Sequence, residues 1–423
     1  MRVLIASQSD GQGGAARAAY RLHHALVNDG TISRMLVDRK TTDDPLVTEA
    51  GARHGAPRRI SHELRAQSEG ALAKLQRSED SFPRTAGVVP GPSGRVLRGT
   101  KADIVNVHWI GRGFLSIPQL ARIAKPVIWT LHDMWPFCGA EHYTFVDSSV
   151  RWRTGYRREN RSADSRGLDL DRYAWLLKRA AFERQFQLVT PSRWLAEQVR
   201  ESLLFHDWPC AVIPNPVPTE VFRPHPMDFA RQVLGLPLGV PLVAFGAVGG
   251  TGNLNKGWDL LEPALAMVGR SVPQARAVVF GESEPRSPLQ VGMPLHFAGR
   301  LNDDTTLALL YSAVDVMVVP SRVENLPQTA TEAQACGTPV VVFGASGTRD
   351  TVSDGITGRV VPVLDSGDLA TAVVDTLTNT HWARRAGECA RKRAEAEWAP
   401  SVIATRFKAL AAEVWASPSL AER

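Results

Sequence analysis

Two carboxylates stand eight positions apart in the stretch SRVENLPQTATEAQACGTPVVVF, residues 321–343. The run AVDVMVVPS just before it and the closing GTPVVVF are apolar and β-branched, as buried strands are, so the segment between them is predicted to be a helix. Pro327 suits the first helical position, and Gly337 ends the helix. Glu324 then precedes the helix N-terminus, and Glu332 lies about five residues inside, roughly 8 Å further along the axis.

The first turn of such a helix presents free N–H groups and the positive end of the helix dipole. A carboxylate on either side suits a ligand with an anionic middle and a polyol at each end. A nucleotide-sugar has this form, with its diphosphate on the helix N-terminus and one carboxylate each for the sugar and the ribose. The plainer interpretation is that Glu324 is a turn residue and Glu332 a surface helix residue, and the spacing alone does not decide between them.

A glycine-rich loop, FGAVGGTGNLNKGWDLL, follows another predicted strand and ends with Lys256 and Gly257 at the start of a helix. Glycines allow a backbone to approach phosphate closely, and a lysine there neutralises the charge that builds on a departing diphosphate. The alternative is a surface lysine after a flexible loop. The two carboxylates in the same half of the chain favour the phosphate site.

The N-terminal stretch SDGQGGAARAAYRL is similar to the glycine-rich turn of nucleotide-binding folds, but the G-x-G-x-x-G pattern is incomplete. Asp38, at the end of the second predicted strand, would hold a ribose hydroxyl if the chain bound a dinucleotide. In a two-domain transferase, the backbone of Gly13 and Gly14 would instead face the donor phosphates or the acceptor. Both interpretations stay open.

Two histidines end predicted strands, His108 in VNVHW and His132 in TLHDMWPFCGAEHY. Polar residues at strand ends meet the ligand in open α/β sheets, so His132, next to Asp133, is predicted to contact a sugar.

Asp169 and Asp171 form a D-x-D, a pattern that binds manganese in some sugar transferases. Because they open a helix, Asp169 is better interpreted as an N-cap with Asp171 in the first turn, and no metal site is predicted.

Short apolar runs alternate with helical patterns through both halves of the chain, which indicates parallel sheets covered by helices. Five prolines in IPNPVPTEVFRPHP forbid regular structure and mark a hinge. We therefore predict an α/β fold of two Rossmann-like domains facing a central cleft. The predicted parts are an acceptor-side domain over 1–212, a hinge over 213–226, a nucleotide-sugar domain over 227–398, and a C-terminal helix over 399–423 that packs back on the first domain.

The composition, with 44% hydrophobic and 22% charged residues among 423, is that of a soluble globular protein. The four scattered cysteines suggest neither a zinc site nor disulfides, and no apolar run reaches the length of a membrane helix or signal peptide, so a cytoplasmic protein is expected. Residues 1–200 carry 31 Lys and Arg against 20 Asp and Glu. That excess suggests that the partner is an acidic membrane surface or a lipid diphosphate. The alternative is that the basic residues merely lie in solvated loops. Nucleic acid is not expected, because aromatic residues do not interleave the basic clusters.

Together these motifs resemble the two-Rossmann (GT-B) glycosyltransferases of the large retaining family 4. The segments TLHDMWPFCGAEHY and ENLPQTATEAQACGTPVVVF are similar to its bacterial surface-polysaccharide branch, of the colanic-acid type. The resemblance covers nearly the whole chain and is specific for the family, not for a substrate. It implies transfer of a hexose from a nucleoside-diphosphate sugar to a glycan or lipid-linked acceptor at the inner face of the membrane.

The resemblance also implies roles for individual residues. Glu324 matches the family's acid on the donor sugar, Glu332 the acid on the ribose, Lys256 the diphosphate lysine and His132 the histidine near the reacting sugar. The loop whose backbone meets sugar and phosphate corresponds to Asn325, Leu326 and Pro327. An arginine that the family places before the lysine is missing here, so backbone N–H groups, Arg300, Arg322 or another residue must meet part of the charge.

The implied reaction retains the anomeric configuration and needs neither metal nor cofactor. Two other functions remain open on the sequence alone. One is an NAD(P)-dependent sugar oxidoreductase or epimerase that uses the N-terminal loop. The other is a non-catalytic nucleotide-binding module of the same fold. The base, the sugar and the acceptor are not encoded in any of these motifs.

Overall fold

The computed structural model describes residues 1–51, 58–78, 80, 82–145, 150–246, 254–284, 289 and 291–417. The chain divides into two units, one formed by Met1–Pro216 with Ile403–Arg423 and the other by Val217–Val402. The predicted hinge, residues 213–226, is described throughout and forms neither helix nor strand. Its prolines lack the N–H that either element requires.

The first unit is built on a seven-stranded parallel sheet in the order β3-β2-β1-β5-β6-β8-β9, and a separate antiparallel ribbon pairs β4 with β7. Its strands are β1 (Arg2–Ser9), β2 (Ile32–Arg39), β3 (Val47–Glu49), β4 (Gln76–Arg77), β5 (Ile104–Val107), β6 (Val127–Thr130), β7 (Arg166–Gly167), β8 (Gln187–Thr190) and β9 (Cys210–Val212). Its helices are α1 (Gly14–Asn28), α2 (Arg58–Ala73), α3 (Ser93–Arg98), α4 (Ile117–Ala121), α5 (Arg151–Thr154), α6 (Leu170–Ala181) and α7 (Arg193–Glu201).

The second unit holds a six-stranded parallel sheet in the order β12-β11-β10-β13-β14-β15. Its strands are β10 (Leu242–Gly246), β11 (Arg276–Phe280), β12 (Leu295–Gly299), β13 (Val316–Val319), β14 (Val340–Phe343) and β15 (Gly358–Val361). Its helices are α8 (Met227–Val233), α9 (Trp258–Ser271), α10 (Asp304–Ala313), α11 (Gln328–Ala335), α12 (Thr348–Thr351), α13 (Ser366–Thr378) and α14 (Thr380–Glu397). The last helix of the chain, α15 (Pro400–Ala416), starts here and continues into the first unit.

Successive residues of the second sheet enter two different cores, as side chains on opposite faces of a strand must. In β13, Met317 and Val319 join one buried cluster, while Val316 and Val318 join the other. Both faces are therefore covered, which is why these strands read as continuous apolar runs. The predicted α/β fold with two Rossmann-like sheets is confirmed.

The last helix supplies one side of the first unit's core. Ile403, Phe407 and Val414 are buried against strand residues that include Ile5 and Val37. Burial of three large apolar side chains is worth several kcal/mol, about 1.5–3 for each. Among the helices that the structure describes, none is both long and apolar enough to cross a membrane.

Candidate functional site

An ion pair joins the lysine and the first glutamate that the sequence singles out. Lys256 ends a 3₁₀ turn, Leu254–Lys256, after β10, and Glu324 lies in the loop after β13. Because β10 and β13 are neighbouring parallel strands, their carboxyl ends meet at one edge of the sheet. Lys256 Nζ lies 2.9 and 3.1 Å from the two carboxylate oxygens of Glu324.

The turn that carries Lys256 is fixed to the loop that carries Glu324. The side-chain amide of Asn255 donates to the Val323 carbonyl at 2.8 Å and accepts from the Val323 N–H at 3.1 Å. Gly257 has a φ of 72°, and a Cβ there would lie 1.9 Å from the carbonyl oxygen of Pro320. Only glycine permits both this conformation and this approach, so the ion pair is held from both sides.

A third strand end reaches the same loop. The N–H of Glu324 donates to Ser346 Oγ at 3.0 Å, in the turn after β14. A Cβ on the next residue, Gly347, would lie 1.7 Å from the Asn325 carbonyl oxygen. Backbone from the ends of β10, β13 and β14 therefore meets at Glu324 and Asn325, next to the start of α11.

The loop into α11 turns its side chains inward. Asn325 and Leu326 are 4% and 8% exposed, and Pro327 is buried as well. Pro327 is the N-cap with a ψ of 119°, so the prediction that it is the first helical residue is wrong by one position. Its carbonyl accepts from the N–H of Ala330, as an N-cap carbonyl does. A ligand at this end of the helix would meet mainly backbone and the positive end of the helix dipole.

Glu332 is not a surface residue. Its side chain is 1% exposed, and the hydroxyl of Tyr311 on α10 donates to its Oε2 at 3.0 Å. The simpler interpretation of Glu332 as an exposed helix residue is therefore wrong. A buried carboxylate needs hydrogen-bond donors to offset its loss of hydration, and Tyr311 is one that the sequence alone does not reveal.

The two arginines considered for the leaving-group charge differ in their surroundings. Arg322 makes a bidentate ion pair with Asp259, with one N–H···O distance of 2.7 Å, and its hydrogen bond holds the pKa of that carboxyl below its usual range. Its guanidinium is thus already engaged. Arg300 is exposed just after β12, the edge strand. Residues 247–253 of the glycine-rich loop lie outside the described residues.

In the first unit, a chain of hydrogen bonds links His132 to His108 and Asn106. His132 Nε2 lies 2.8 Å from His108 Nδ1, and His108 Nε2 lies 2.7 Å from Asn106 Oδ1. The amide nitrogen of Asn106 donates to the carbonyl of Ile128 and to Thr130 Oγ1, which identifies Oδ1 as the acceptor facing His108. His108 therefore carries its proton on Nε2 and accepts from His132 Nε2–H, which leaves the lone pair of neutral His132 on Nδ1.

Burial keeps both rings neutral at pH 7. It lowers the pKa of His132 to about 4 and that of His108 well below its ordinary value. Asp133, which the sequence places beside His132, instead accepts from His142, with Nδ1 and Oδ2 2.6 Å apart. Sequence reasoning missed the role of His108. The signal in the sequence was the pair of histidines that follow two predicted strands. The structure shows that these strands, β5 and β6, are neighbours.

The N-terminal glycines begin the first helix of the first unit. Gly13 is the N-cap of α1 with a φ of 89°, and Gly14 is the first helical residue. Asp38 is buried, with a hydrogen bond to His62 at 2.6 Å and an ion pair with Arg65 at 2.7 Å. Both of its oxygens are thereby engaged, which weighs against the interpretation that Asp38 holds the ribose of a dinucleotide.

The D-x-D aspartates have structural partners. Asp169 is the N-cap of α6 and accepts from the N–H of Arg172, and it also pairs with Arg151. Asp171 pairs with Arg84. The prediction that Asp169 is an N-cap is confirmed. In the described ranges, no three His, Cys, Asp or Glu side chains are placed to hold a metal ion.

Two protein-family models match the chain, one in each unit. The model described as Glycosyltransferase Family 4 matches residues 12–221, and the model described as Glycosyl transferases group 1 matches residues 243–379. A curated relative, D-inositol 3-phosphate glycosyltransferase 2 of Catenulispora acidiphila, is 36% identical over 208 residues, which are 45% of this chain and 48% of that protein. The chain thus spans about half the length of the curated relatives it matches.

Solved structures match over almost the whole chain. Sucrose-phosphate synthase from Thermosynechococcus elongatus superposes with a TM-score of 0.66 at 20% identity and covers 98% of this chain and 99% of its own. HepE of Anabaena, solved in complex with UDP-glucose, gives 0.63 at 17% identity, with 98% and 100% covered. The chain therefore combines a glycosyltransferase family 4 domain with a glycosyl transferases group 1 domain, in the GT-B fold of these structures.

Proposed function

We propose that this protein is a retaining hexosyltransferase. It moves a hexose from a nucleoside-diphosphate sugar to a glycan or lipid-linked acceptor in the synthesis of a bacterial surface polysaccharide, and it belongs to the colanic-acid-type branch. The observation that carries the proposal is the ion pair of Lys256 and Glu324 beside the N-terminus of α11. It sets a cation, a carboxylate and the positive end of a helix dipole together, as a diphosphate joined to a sugar requires.

Each group has a separate part in donor binding. The diphosphate lies on the backbone of Asn325, Leu326 and Pro327 at the start of α11. Glu324 accepts hydrogen bonds from the sugar hydroxyls, which then compete with Lys256 for its oxygens. Glu332 is proposed for the ribose, and its Tyr311 partner orients the carboxylate. The UDP-glucose complex of HepE, a protein of the same fold, supports a donor of this class.

The chemical step breaks the bond between the anomeric carbon and the diphosphate oxygen and forms a bond from that carbon to an acceptor oxygen on the same face. The acceptor proton passes to the departing diphosphate. Negative charge grows on the leaving group, and Lys256, the N–H groups of α11 and Arg300 stabilise it. These residues take the part that a metal has in other transferases, so no metal or cofactor is required.

Residues of the first unit are proposed to contact the substrates. His132 contacts a sugar hydroxyl. The backbone at Gly13 and Gly14 faces a phosphate or the acceptor. The basic first unit meets the anionic inner face of a membrane, where a lipid-linked acceptor is found.

A donor screen tests this proposal. Nucleoside-diphosphate hexoses are incubated with the protein in excess EDTA, and released nucleotide and the anomeric configuration of the product are followed by NMR. We expect turnover of one donor with retained configuration. Strict dependence on added manganese, an inverted product, or tight nucleotide binding with no sugar released would overturn the mechanism.

Lys256→Ala identifies the residue that stabilises the leaving group. We expect about a hundredfold loss of kcat, the magnitude typical for removal of one charge-stabilising group. Lys392→Ala, which removes an exposed lysine from α14 in the same unit, is the matched control and should leave kcat unchanged. Equal activity of both variants would contradict the assignment.

A further inference from the structure

Exposed apolar side chains form one surface on the first unit, which we call the Leu168 surface. Its members are Leu75, Leu168, Tyr173 and Leu176, which are 45%, 60%, 57% and 36% exposed. Single exposed apolar residues are ordinary, but a contiguous group marks an interaction site.

Backbone geometry shows that the four residues adjoin. The N–H of Leu168 donates to the Leu75 carbonyl at 3.0 Å, beside the ribbon of β4 and β7. Leu168 directly precedes the N-cap Asp169, and Tyr173 is the fourth residue of α6, so the two occupy the positions of a hydrophobic staple. Leu176 follows Tyr173 by three residues and therefore lies on the same face of the helix.

The surface is rigid because the ribbon is fastened to the helix. The side-chain amide of Gln76 in β4 donates to the carboxylate of Asp171 and accepts from the N–H of Asp171. A Cβ at Gly167 would lie 2.2 Å from the Leu75 carbonyl oxygen, so the two strands pack closely. A preformed surface binds without the entropic cost of ordering its side chains and backbone.

Basic side chains lie on the same elements as the Leu168 surface. Exposed or half-exposed cations on the same three elements and their ends are Lys74, Arg77, Arg166, Arg172 and Arg179. From residue 161 to 183, all of which the structure describes, Asp164 and Glu183 are the exposed acids. The other two acids of this stretch, Asp169 and Asp171, pair with Arg151 and Arg84.

We propose that the Leu168 surface docks on a membrane rich in acidic lipid. The leucines and the tyrosine enter the boundary of headgroups and acyl chains, and the arginines and the lysine meet the lipid phosphates. A soluble anionic polymer would use the cations and leave the apolar side chains in water, so the combination favours a lipid surface. The inference deepens the membrane contact of the proposed function and names the residues that make it.

Vesicle flotation tests the docking surface. The whole protein is mixed with phosphatidylcholine vesicles that contain or lack phosphatidylglycerol, as wild type and as the triple variant Leu168→Ser, Tyr173→Ser and Leu176→Ser. We expect binding that requires the acidic lipid and falls with salt, and about tenfold weaker partitioning of the triple variant.

A matched control removes equally exposed apolar side chains elsewhere. Phe229, Val233 and Leu238 in the second unit are 53%, 54% and 49% exposed, and their serine variant should bind vesicles as wild type does. Circular dichroism establishes that both triple variants are folded.

Three results would overturn the proposal. The first is that the wild type binds neutral and acidic vesicles equally well. The second is that the Leu168 surface variant binds acidic vesicles as the wild type does. The third is that dextran sulfate competes with vesicles for the protein, and that the variant still binds both dextran sulfate and vesicles. The last result would identify a polyanion site. Nucleotide binding is measured on the same samples, so that loss of the donor site and loss of the docking surface are seen separately.

Discussion

The hydroxyl of Tyr311 is the residue-scale feature with the clearest consequence, because it donates to a carboxylate that is 1% exposed. Tyr311→Phe removes this donor and leaves Glu332 buried with one hydrogen bond fewer. We expect the free energy of unfolding to fall by about 1–2 kcal/mol and nucleotide affinity to weaken several-fold. Urea denaturation and calorimetric titration measure the two effects.

Thr338→Val is the control for that change. Thr338 Oγ1 donates to the backbone carbonyl of Tyr311 at 2.6 Å. Loss of this hydroxyl removes a hydrogen bond to Tyr311 but leaves the bond between Tyr311 and Glu332 in place. Its stability should fall comparably, with nucleotide affinity retained. Equal loss of affinity in both variants would mean that Glu332 has no direct part in binding.

Two buried histidines, His132 and His23, contribute to how stability varies with pH. Burial lowers the pKa of His132 and of His23 to about 4, whereas the unfolded value is about 6.5. Between these values the two histidines bind protons in the unfolded chain and not in the folded chain, so their contribution to stability falls as the pH falls from about 6.5 to about 4. Urea denaturation of the wild type and of histidine variants across this range measures that contribution.

Variants separate the contributions of the histidines. His132→Asn should make the decrease in stability with falling pH shallower. His381→Asn, at an exposed position, should leave it unchanged. A slope that is identical in the wild type and both variants would show that His132 titrates alike in the folded and unfolded chain.

At the scale of elements, the turn from Lys256 into α9 depends on one glycine. Gly257→Ala puts a side chain at a φ of 72° and brings its Cβ within 1.9 Å of the Pro320 carbonyl oxygen. Strain costs about 1 kcal/mol and the clash a further 1–3 kcal/mol, and the shift separates Lys256 from Glu324. We expect a loss of both stability and transfer.

Gly235→Ala isolates the strain from the clash. Gly235 has a φ of 65°, but nothing lies within 4 Å of an added Cβ. Its variant should lose only about 1 kcal/mol and keep full activity. If thermal denaturation shows the same loss for both alanine variants, the approach of Gly257 to Pro320 is not tight.

The elements themselves could be predicted from the sequence because their signals are local. Continuous apolar runs identified the strands, Asp169 was identified as an N-cap, and Gly337, with a φ of 78°, ends α11 as predicted. The error at Pro327 is of the kind expected at a helix end, since proline is tolerated both at the N-cap and one residue later.

The contacts within the candidate site could not be predicted, because they depend on strand order. Lys256 and Glu324 are 68 positions apart in the chain and meet only because β10 pairs with β13. Arg322 and Asp259, 63 positions apart, meet at the same pair of strands, and His108 and His132, 24 positions apart, meet because β5 pairs with β6. Neither propensity nor periodicity encodes which strands are neighbours.

At the scale of the whole molecule, the two units differ in their chemistry. The ion pair of Lys256 and Glu324, proposed to meet the donor, lies in the second unit, while the basic excess and the Leu168 surface lie in the first. A transferase that takes a soluble donor and a membrane-bound acceptor would divide its functions in this way.

If the proposed function is correct, the second unit holds a nucleoside-diphosphate sugar at the start of α11. Calorimetric titration of UDP, GDP, ADP and NAD in the presence of EDTA tests it most directly, on the wild type, Glu332→Ala and the milder Glu332→Gln. We expect tight binding of one nucleoside diphosphate that is at least about tenfold weaker in both folded variants. Binding of NAD alone, unchanged by either substitution, would contradict it and point to the N-terminal glycine loop.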